Sequence, residues 1–172
     1  MRTFSRNSKN DERTLVQIKD VIEDTLAICE DKLRMSGIEL KKDVQGENLA
    51  VLGHATQVSQ VLLNLINNAR DALAEEKQKE KIISVLAYGD DSHVFIKVED
   101  NGPGVSPENR EKIFQSFFTT KGLGKGTGLG LSISVQIMEF YSGQLSLDSE
   151  AKGACFVMRF PRPAREKAPL VA

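Results

Sequence analysis

The sequence predicts an α/β fold of the α+β kind: a two-layer sandwich with helices on one face of a mixed, mainly antiparallel sheet. Helix-like and strand-like segments follow one another without the regular βαβ order of a parallel sheet. Two pairs of β-rich segments are separated by short turns, and one long segment has a single apolar stripe at helical spacing. The 172 residues, 40% of them hydrophobic, fit one domain with a full core.

The first third of the chain contains one predicted helix between short strands. Residues 1–13 are polar and charged and are interpreted as a linker or the end of an upstream helix. Residues 14–19 have a weak strand signal, and Asp20 is a suitable cap for the helix that follows. The alternation of residues 38–44 predicts a half-exposed strand, and residues 49–52 are a second, shorter one.

The strongest helix signal lies at residues 56–76, where apolar side chains recur every three or four positions. This stripe consists of Val58, Val61, Leu62, Leu65, Ala69, Ala72 and Leu73. Two β-rich segments, 82–88 and 94–99, follow it and are separated by turn residues at 90–92. A helix is therefore predicted to precede an antiparallel hairpin.

The last part of the chain combines loops, two short helices and a closing hairpin. Pro107 suits the first position of one helix, and a second helix is predicted to begin near Gly128. Residues 145–147 and 155–160 are predicted to pair with each other. The tail, residues 162–172, is predicted to be disordered.

Bulk properties of the chain argue against several classes of protein. The net charge of -1 gives no support for nucleic-acid binding or for attachment to a membrane surface. No apolar run approaches the length of a membrane span, and the polar start of the chain predicts no signal peptide. Cys29 and Cys155 lie far apart without metal-type spacing, which predicts reduced thiols in the cytosol.

Two glycine clusters, residues 100–104 and 122–131, contain seven of the 13 glycines. Glycine allows positive φ and close approach to a ligand, and a glycine run that opens a helix presents free N–H groups to an anion. Nucleotide phosphate is the predicted anion. The familiar alternatives fail, because a Walker loop needs Ser or Thr where this chain has Gly126, and a Rossmann fingerprint is one βα turn.

Asn64, Asn68 and Asp71 share one face of the long predicted helix, beside its apolar stripe. An amide oxygen next to a phosphate loop is a suitable ligand for Mg²⁺, which usually also bridges to phosphate. Taken alone, the pattern is better explained by solvated surface residues. Asp100 ends a strand and is placed to accept a hydrogen bond from an exocyclic amine, although an ordinary turn has the same pattern.

Four segments, in their order and spacing, resemble the N, G1, F and G2 boxes of sensor histidine kinases. They are residues 64–69 (NLINNA), 100–104 (DNGPG), 114–121 (FQSFFTTK) and 126–131 (GTGLGL). The resemblance covers about residues 14–161 and implies an ATP-binding catalytic domain of the Bergerat fold, with a mobile lid over the nucleotide. The wider group includes gyrase, the MutL mismatch-repair protein and the large heat-shock chaperone.

The resemblance assigns roles to individual residues. Asn68 is similar to the family's Mg²⁺ ligand, and Asn64, one turn earlier, would face the phosphates, so these two are the candidate catalytic residues. Asp100 is similar to the aspartate that reads the adenine amino group. Gly102 and Gly104 would let the backbone pass close to the base.

The lid and its flanks supply the other candidates. Phe114, Phe117 and Phe118 would anchor the base of the lid through apolar contacts, and Lys121 and Lys125 would offset phosphate charge. The remaining ATP-binding candidates are Asp71 on the long helix and the residues of the phosphate-facing turn and helix start, Gly126, Thr127, Gly128, Leu129, Gly130 and Leu131.

Two positions set this chain apart within the wider group. Residues 68–72 (NARDA) have Asp71 and Ala72 where many sensor kinases have lysine and an aromatic residue, and they resemble the nitrogen-regulation-type kinases. Hydrolysing members have a glutamate as general base at the position of Asn64. Because an amide cannot take a proton at neutral pH, we expect negligible ATP hydrolysis and use of ATP for phosphoryl transfer.

The resemblance implies partners outside this chain. His54 lacks the acidic and basic neighbours of a phosphoacceptor box and His93 follows a turn, so the acceptor histidine is expected on an upstream dimerisation domain of a homodimeric parent protein. Phosphate would then pass to a response regulator. We expect the isolated domain to be a cytoplasmic monomer that uses ATP and Mg²⁺, within a parent protein compatible with a membrane anchor.

Three other functions remain open for this fold. An ATP-driven clamp like gyrase or MutL is opposed by Asn64 in place of glutamate and by the short lid. An anti-sigma serine kinase is opposed by residues 2–6, which resemble the end of a dimerisation helix. A pseudokinase is opposed by four intact boxes.

Overall fold

The computed structural model describes residues 13–78, 80–121 and 126–163. In chain order, the elements in these ranges are β1 (Thr14–Gln17), α1 (Ile18–Met35), β2 (Ile38–Val44), β3 (Ala50–Gly53), α2 (Ala55–Ala74), β4 (Lys81–Gly89), β5 (His93–Asp100), α3 (Gly130–Phe140), β6 (Gln144–Leu147) and β7 (Cys155–Pro161). The predictions for the linker, for Lys125 and for most of the tail fall on residues outside the described ranges.

The main sheet has five strands in the order β2-β4-β5-β7-β6. Strands β2 and β4 are parallel, and the other three neighbouring pairs are antiparallel. A parallel pair needs a long crossover, which here passes through β3 and α2. Strands β1 and β3 form a separate antiparallel pair. The predicted mixed, mainly antiparallel sheet is confirmed.

The core lies between this sheet and the helices. Burial alternates along the central strands, and the buried positions are Ile83, Val85, Ala87, Val94, Ile96, Val98, Phe156, Met158 and Phe160. The apolar stripe of α2 packs on them: Leu62, Leu65 and Leu73 have no exposed surface. The stripe also includes fully buried Ile66, whereas Ala72 is only half-buried. The two-layer arrangement predicted from helical and strand periodicity is therefore confirmed.

Helix α1 begins earlier than predicted. Its cap is Gln17 and not Asp20, which lies in the first turn. The side chain of Ile18 is fully buried, and its backbone N–H donates to the carbonyl of Leu49 at 2.8 Å. Packing of Ile18 into the core thus ends the short strand β1 and starts the helix two residues before the polar capping signal.

The region after the hairpin also differs from the prediction. In place of one short helix, the chain forms two 3₁₀ turns, Pro107–Asn109 and Lys112–Phe114, closed by i→i+3 hydrogen bonds. Helix α3 begins at Gly130, because Gly128 has φ +66 and lies outside the right-handed helical region.

No helix in the ranges that the structure describes is long and apolar enough to cross a bilayer. Cys29 and Cys155 are buried and unpaired. Arg162 donates its backbone N–H to the carbonyl of Ser92 at 2.7 Å and its guanidinium to the carbonyl of Asp90 at 2.5 Å. The start of the predicted tail is thus bound to the turn between β4 and β5.

The buried stripe of α2 predicts that replacing Leu65 destabilises the fold more than replacing the exposed Leu52. Leu65→Ala removes a side chain with no exposed surface and should lower the free energy of unfolding by about 2–5 kcal/mol. Leu52→Ala removes a side chain that is 49% exposed and should cost less than about 1 kcal/mol. Urea denaturation of both variants measures this difference, and equal losses would contradict the assigned core.

Candidate functional site

The polar face of α2 lies beside its buried stripe. Asn64, Asn68 and Asp71 are half-buried, because the fully buried Leu62 and Leu65 determine the rotation of the helix. At 1.5 Å per residue, the three positions span roughly 10 Å along the helix axis. The same turn spacing that placed them on one face in the sequence therefore places them in one row in the structure.

Asn64 holds the start of α3. Its Nδ2 donates to Oγ of Ser134 at 3.0 Å, and the same hydroxyl donates to the carbonyl of Gly130 at 2.9 Å. A Cβ at Gly130 would lie 2.3 Å from Oδ1 of Asn64, which no real contact allows. A side chain at position 130 would therefore displace the amide of Asn64, and α2 and α3 meet at the first turn of α3.

The two described flanks of the lid are joined at its base. The N–H of Phe117 donates to the carbonyl of Gly128 at 2.8 Å. Gly128 has φ +66, and a Cβ there would lie 2.4 Å from the carbonyl carbon of Phe117. The Leu129 N–H donates to Thr127 Oγ1 at 3.4 Å. This turn starts α3, whose first N–H groups, on Gly130 and Leu131, have no intrahelical acceptor.

Asp71 forms an ion pair with the lid flank. Its Oδ2 accepts a hydrogen bond from Nζ of Lys121 at 2.6 Å, and its Oδ1 accepts one from the guanidinium of Arg70 at 2.7 Å. Burial raises the pKa of Asp71, but the hydrogen bonds from Lys121 and Arg70 outweigh it and hold the pKa below its ordinary value. In this structure, therefore, both predicted ATP-binding residues are engaged with each other.

Asp100 is a buried acceptor at the end of β5. Only 4% of its surface is exposed, and its Oδ1 accepts the N–H groups of Gly102 at 2.9 Å and Ala154 at 3.5 Å. Burial raises the pKa of Asp100, and these two hydrogen bonds offset only part of that shift. Within the described ranges Oδ2 accepts no hydrogen bond, so it is the oxygen available to a ligand amine.

The glycine turn after Asp100 is closely packed. A Cβ at Gly102 would lie 2.8 Å from Oδ1 of Asp100 and 3.4 Å from Leu73 of α2. Gly104 has φ +74, and a Cβ there would lie 3.3 Å from the carbonyl of Gly153. The turn therefore connects Asp100 to the end of α2 and to the hairpin before β7.

A cavity of about 460 Å³ opens between this turn and the lid base. It is lined by residues 103–107, Asn109, Ile113 and Thr120. Phe114 packs edge-on against Phe156, with ring centroids 6.3 Å apart. Phe117, in contrast, is 75% exposed, so the expected apolar anchoring by this residue is wrong: its positive φ of 67° directs the backbone into the Gly128 contact instead.

Asn68 lies between the two occupied positions of the polar face. In the part of the chain that the structure describes, its side chain has no hydrogen-bond partner, whereas Asn64 and Asp71 are engaged by α3 and the lid flank. A half-buried amide oxygen on the same helix face as Asn64 fits a Mg²⁺ ion, which prefers oxygen ligands. The residues present therefore fit the predicted cofactor.

The structure brings the predicted residues together in three groups along α2: Asn64 with α3, Asp71 with Lys121, and Asp100 with the glycine turn. Gly126 lies near the second group: a Cβ there would lie 3.3 Å from Cδ of Lys121. Sequence reasoning missed Ser134, which carries no motif signal, and the backbone of Ala154. The role of Ser134 depends on a contact across 70 residues of sequence.

Both histidines have local partners. His54 Nδ1 lies 2.7 Å from the hydroxyl of Tyr141, which in turn donates to Gln57, and this joins the start of α2 to the end of α3. His93 lies near Asp90 in the turn between β4 and β5. Neither ring lies among the residues of the polar face described above.

The comparison with known proteins agrees with this geometry. Residues 53–164 match the family described as Histidine kinase-, DNA gyrase B-, and HSP90-like ATPase. Among curated proteins, the Two-component sensor PprA of Pseudomonas aeruginosa is 38% identical over 149 residues, which are 85% of this chain and 16% of that protein. The chain spans between 16% and 32% of the length of the first curated relatives that it matches.

Solved structures show the same architecture. The catalytic domain of histidine kinase ThkA, in a nucleotide-free form, has a TM-score of 0.76 and 31% identity over 87% of this chain and 97% of that one. Histidine kinase ThkA in complex with response regulator protein TrrA has a TM-score of 0.73 and 26% identity over 90% of this chain and 43% of the other.

A mixed sheet covered by helices, with a polar helix face between a glycine-opened helix and a buried aspartate, defines a nucleotide-binding ATPase domain. This chain belongs to the family of histidine kinase-, DNA gyrase B- and HSP90-like ATPases, and its domain is of the histidine kinase type. The predicted resemblance to sensor histidine kinases is confirmed. The narrower resemblance to nitrogen-regulation-type kinases stays a prediction.

The raised pKa of Asp100 predicts that this residue costs stability at neutral pH. The folded chain binds the Asp100 proton more readily than the unfolded chain, so this contribution to the free energy of unfolding falls as pH rises above the ordinary aspartate pKa. Without nucleotide, Asp100→Asn should therefore have a Tm equal to or above that of the wild type at pH 7.5. The difference should shrink at pH 5.

Asp90→Asn is the matched control, for which the change in Tm is expected to have the opposite sign. Hydrogen bonds from the N–H groups of Ser92 and His93 lower the pKa of Asp90 in the folded chain. Asp90 therefore stabilises the fold above the pKa that it has in the unfolded chain, and this stabilisation is lost as pH falls. Its replacement should lower the Tm at pH 7.5. Thermal unfolding at both pH values measures the change in Tm of each variant. A lower Tm for Asp100→Asn than for the wild type at pH 7.5 would contradict the assigned cost of burying the carboxylate.

Proposed function

We propose that this chain binds Mg²⁺-ATP and donates the γ-phosphoryl group to a histidine on a dimerisation domain of a longer sensor kinase. The observation that carries the proposal is the row of Asn64, Asn68 and Asp71 between the open start of α3 and the buried carboxylate of Asp100. The family match and the sensor kinases among the relatives support it.

The adenine end of the site is supplied by Asp100. Its unengaged Oδ2 would accept a hydrogen bond from the exocyclic amine, and Gly102 and Gly104 would let the backbone approach the ring. The free N–H groups of Gly130 and Leu131 would bind phosphate oxygens at the positive end of α3. The nucleotide would thus lie along α2, with its base at the Asp100 end.

Asn68 is the residue that would hold Mg²⁺, through its amide oxygen. When bound, Mg²⁺ would supply positive charge that offsets the negative charge of the phosphates during transfer. The chain's own task is to bind and orient the nucleotide so that its terminal phosphate meets the acceptor. That requires positioning and charge neutralisation more than covalent chemistry by the protein.

Asn64 favours transfer over hydrolysis. Its amide cannot take a proton at neutral pH, and its Nδ2 is engaged by Ser134, so no general base is placed on water at this position. An acceptor imidazole would supply the nucleophilic nitrogen: the bond from phosphorus to the β,γ-bridging oxygen breaks, a phosphorus–nitrogen bond forms, and ADP leaves.

The partners follow from the same proposal. A phosphoacceptor domain of the parent protein would dock against the phosphate end of the site, and the phosphoryl group would pass on to a response regulator. We assign the domain to the cytoplasm, which supplies ATP and keeps the two unpaired cysteines reduced. The isolated domain would be a monomer within a homodimeric parent. The ATPase-clamp alternative is not favoured.

Nucleotide binding can be tested by calorimetric titration of the 172-residue chain with a non-hydrolysable ATP analogue, with and without Mg²⁺. Asp100→Asn should weaken binding by about 10- to 100-fold, because a hydrogen bond to a charged acceptor is lost. Asn68→Ala should abolish the gain in affinity that Mg²⁺ provides and change the Mg²⁺-free affinity little.

Asn67→Ala is the matched control for this titration. It removes the same amide from the neighbouring position, about 100° around the axis of α2, and should leave both affinities unchanged. No binding by the wild-type chain, or equal losses in Asn67→Ala and Asn68→Ala, would contradict the proposed site.

Phosphoryl transfer can be tested separately with radiolabelled ATP. The chain alone should remain unlabelled and should hydrolyse ATP far more slowly than ~1 s⁻¹, the lower end of ordinary enzyme turnover. Addition of the phosphoacceptor domain of the parent kinase should produce acid-labile label on that domain, and replacement of its histidine by glutamine should abolish it. Acid-stable label on a serine would favour the serine-kinase alternative.

A further inference from the structure

The ion pair between Asp71 and Lys121 joins α2 to the flank of the lid, one turn from Asn68, the proposed Mg²⁺ residue. Asp71 lies one turn beyond Asn68 on α2, and Lys121 is the last described residue before the glycine-rich part of the lid. Their contact is short, 2.6 Å between Nζ and Oδ2, and each side chain is only 33% exposed. The ammonium of Lys121 is therefore held against α2.

A second cation shares the same carboxylate. The guanidinium of Arg70 lies 2.7 Å from Oδ1 of Asp71, with 24% of the Arg70 side chain exposed. Two positive groups and one carboxylate leave one net positive charge in this cluster. The lowered pKa of Asp71 means that the carboxylate is ionised throughout the neutral range.

The position of Lys121 is itself supported on the lid side. Its backbone N–H donates to Oγ1 of Thr119 at 3.1 Å, and there is little space beside its side-chain stem at Gly126, where an added Cβ would lie 3.3 Å from Cδ. The backbone of Lys121 is thus held by its own segment. Loss of the Asp71 carboxylate would release the ammonium and leave that backbone bond intact.

We propose that Asp71 is a counter-ion that competes with nucleotide phosphate for the ammonium of Lys121, and so determines how strongly the site distinguishes a triphosphate from a diphosphate. This inference rests on the proposed function. Lys121 has three donors but one charge, and the phosphate that engages it must displace or share the carboxylate. Because ATP carries one more negative charge than ADP, competition by Asp71 lowers the affinity for ATP more than the affinity for ADP.

The proposal makes Asp71 a positioning residue whose removal strengthens a function. A residue that only stabilised the fold, or that bound Mg²⁺ or phosphate directly, would weaken nucleotide binding when replaced. Tighter nucleotide binding on replacement of Asp71 therefore distinguishes a competing counter-ion from these other roles. A dependence of the effect on Lys121 separates direct competition from the general field of a nearby carboxylate.

The experiment is calorimetric titration of the 172-residue chain with Mg²⁺-ADP and with the Mg²⁺ complex of a non-hydrolysable ATP analogue. Asp71→Asn should tighten the ATP analogue by about two- to fivefold, the range that a part-exposed ion pair provides, and ADP by less. Asp71→Ser removes the same carboxylate and is measured beside it in case the amide disturbs folding. Asp71→Glu keeps the carboxylate and should restore the wild-type affinity ratio.

Two further variants isolate the mechanism. In a Lys121→Met background, Asp71→Asn should change the ATP affinity by less than a factor of two, because the competing cation is gone. Glu23→Gln removes a carboxylate that is paired with Lys42 at 3.2 Å on another part of the surface. This control has the same change in net charge as Asp71→Asn and should leave the affinity ratio unchanged.

The outcomes separate this inference from the function on which it rests. If the wild-type chain binds neither nucleotide, both are overturned. If the wild type binds nucleotide but Asp71→Asn and Asp71→Ser leave its affinity for the ATP analogue unchanged or weaker, this inference alone is overturned. A full gain that persists in the Lys121→Met background also overturns it, since the effect would then not pass through Lys121.

Discussion

The burial of one face of α2 determines most of what the rest of the molecule does. Leu62, Leu65 and Leu73 have no exposed surface, so the helix can neither rotate nor slide without opening the core. At the 100° advance of each residue, this orientation directs Asn64, Asn68 and Asp71 toward α3 and the lid flank. Hydrophobic packing of α2 thus determines where the polar groups of the candidate site lie.

The contacts around the site leave little freedom for its glycine residues. Gly130 touches Asn64, Gly128 touches Phe117 and Gly102 touches Asp100, each so closely that a single added methyl group would clash. The glycine backbone of the proposed site is therefore held by neighbours on three different parts of the chain. A site built in this way is preorganised, and binding a nucleotide should require little rearrangement of α2, α3 or the Asp100 turn.

Local sequence patterns predicted those elements well whose hydrophobic residues follow a helical or strand periodicity, as in α2 and in the strands β4 and β5. They misplaced the starts of two helices that depend on the tertiary structure. The burial of Ile18 places the start of α1 before Asp20, and the positive φ of Gly128 delays the start of α3 to Gly130. The site shows the same division. Spacing grouped Asn64, Asn68 and Asp71 on one face, but the partners Ser134 and Lys121 lie 70 and 50 residues away in the chain.

The hydrogen bonds of Asn64 also explain why an amide suits this position structurally as well as chemically. Ser134 has one hydroxyl proton, which it donates to the carbonyl of Gly130 while it accepts the proton of the Asn64 amide. A carboxylate at position 64 could only accept, so it would compete with Gly130 for that single proton. In either case one of the two hydrogen bonds of the buried Ser134 hydroxyl would be lost. The amide that in the proposed function would offer water no general base is therefore also the group that hydrogen-bonds α2 to α3, and both roles favour asparagine.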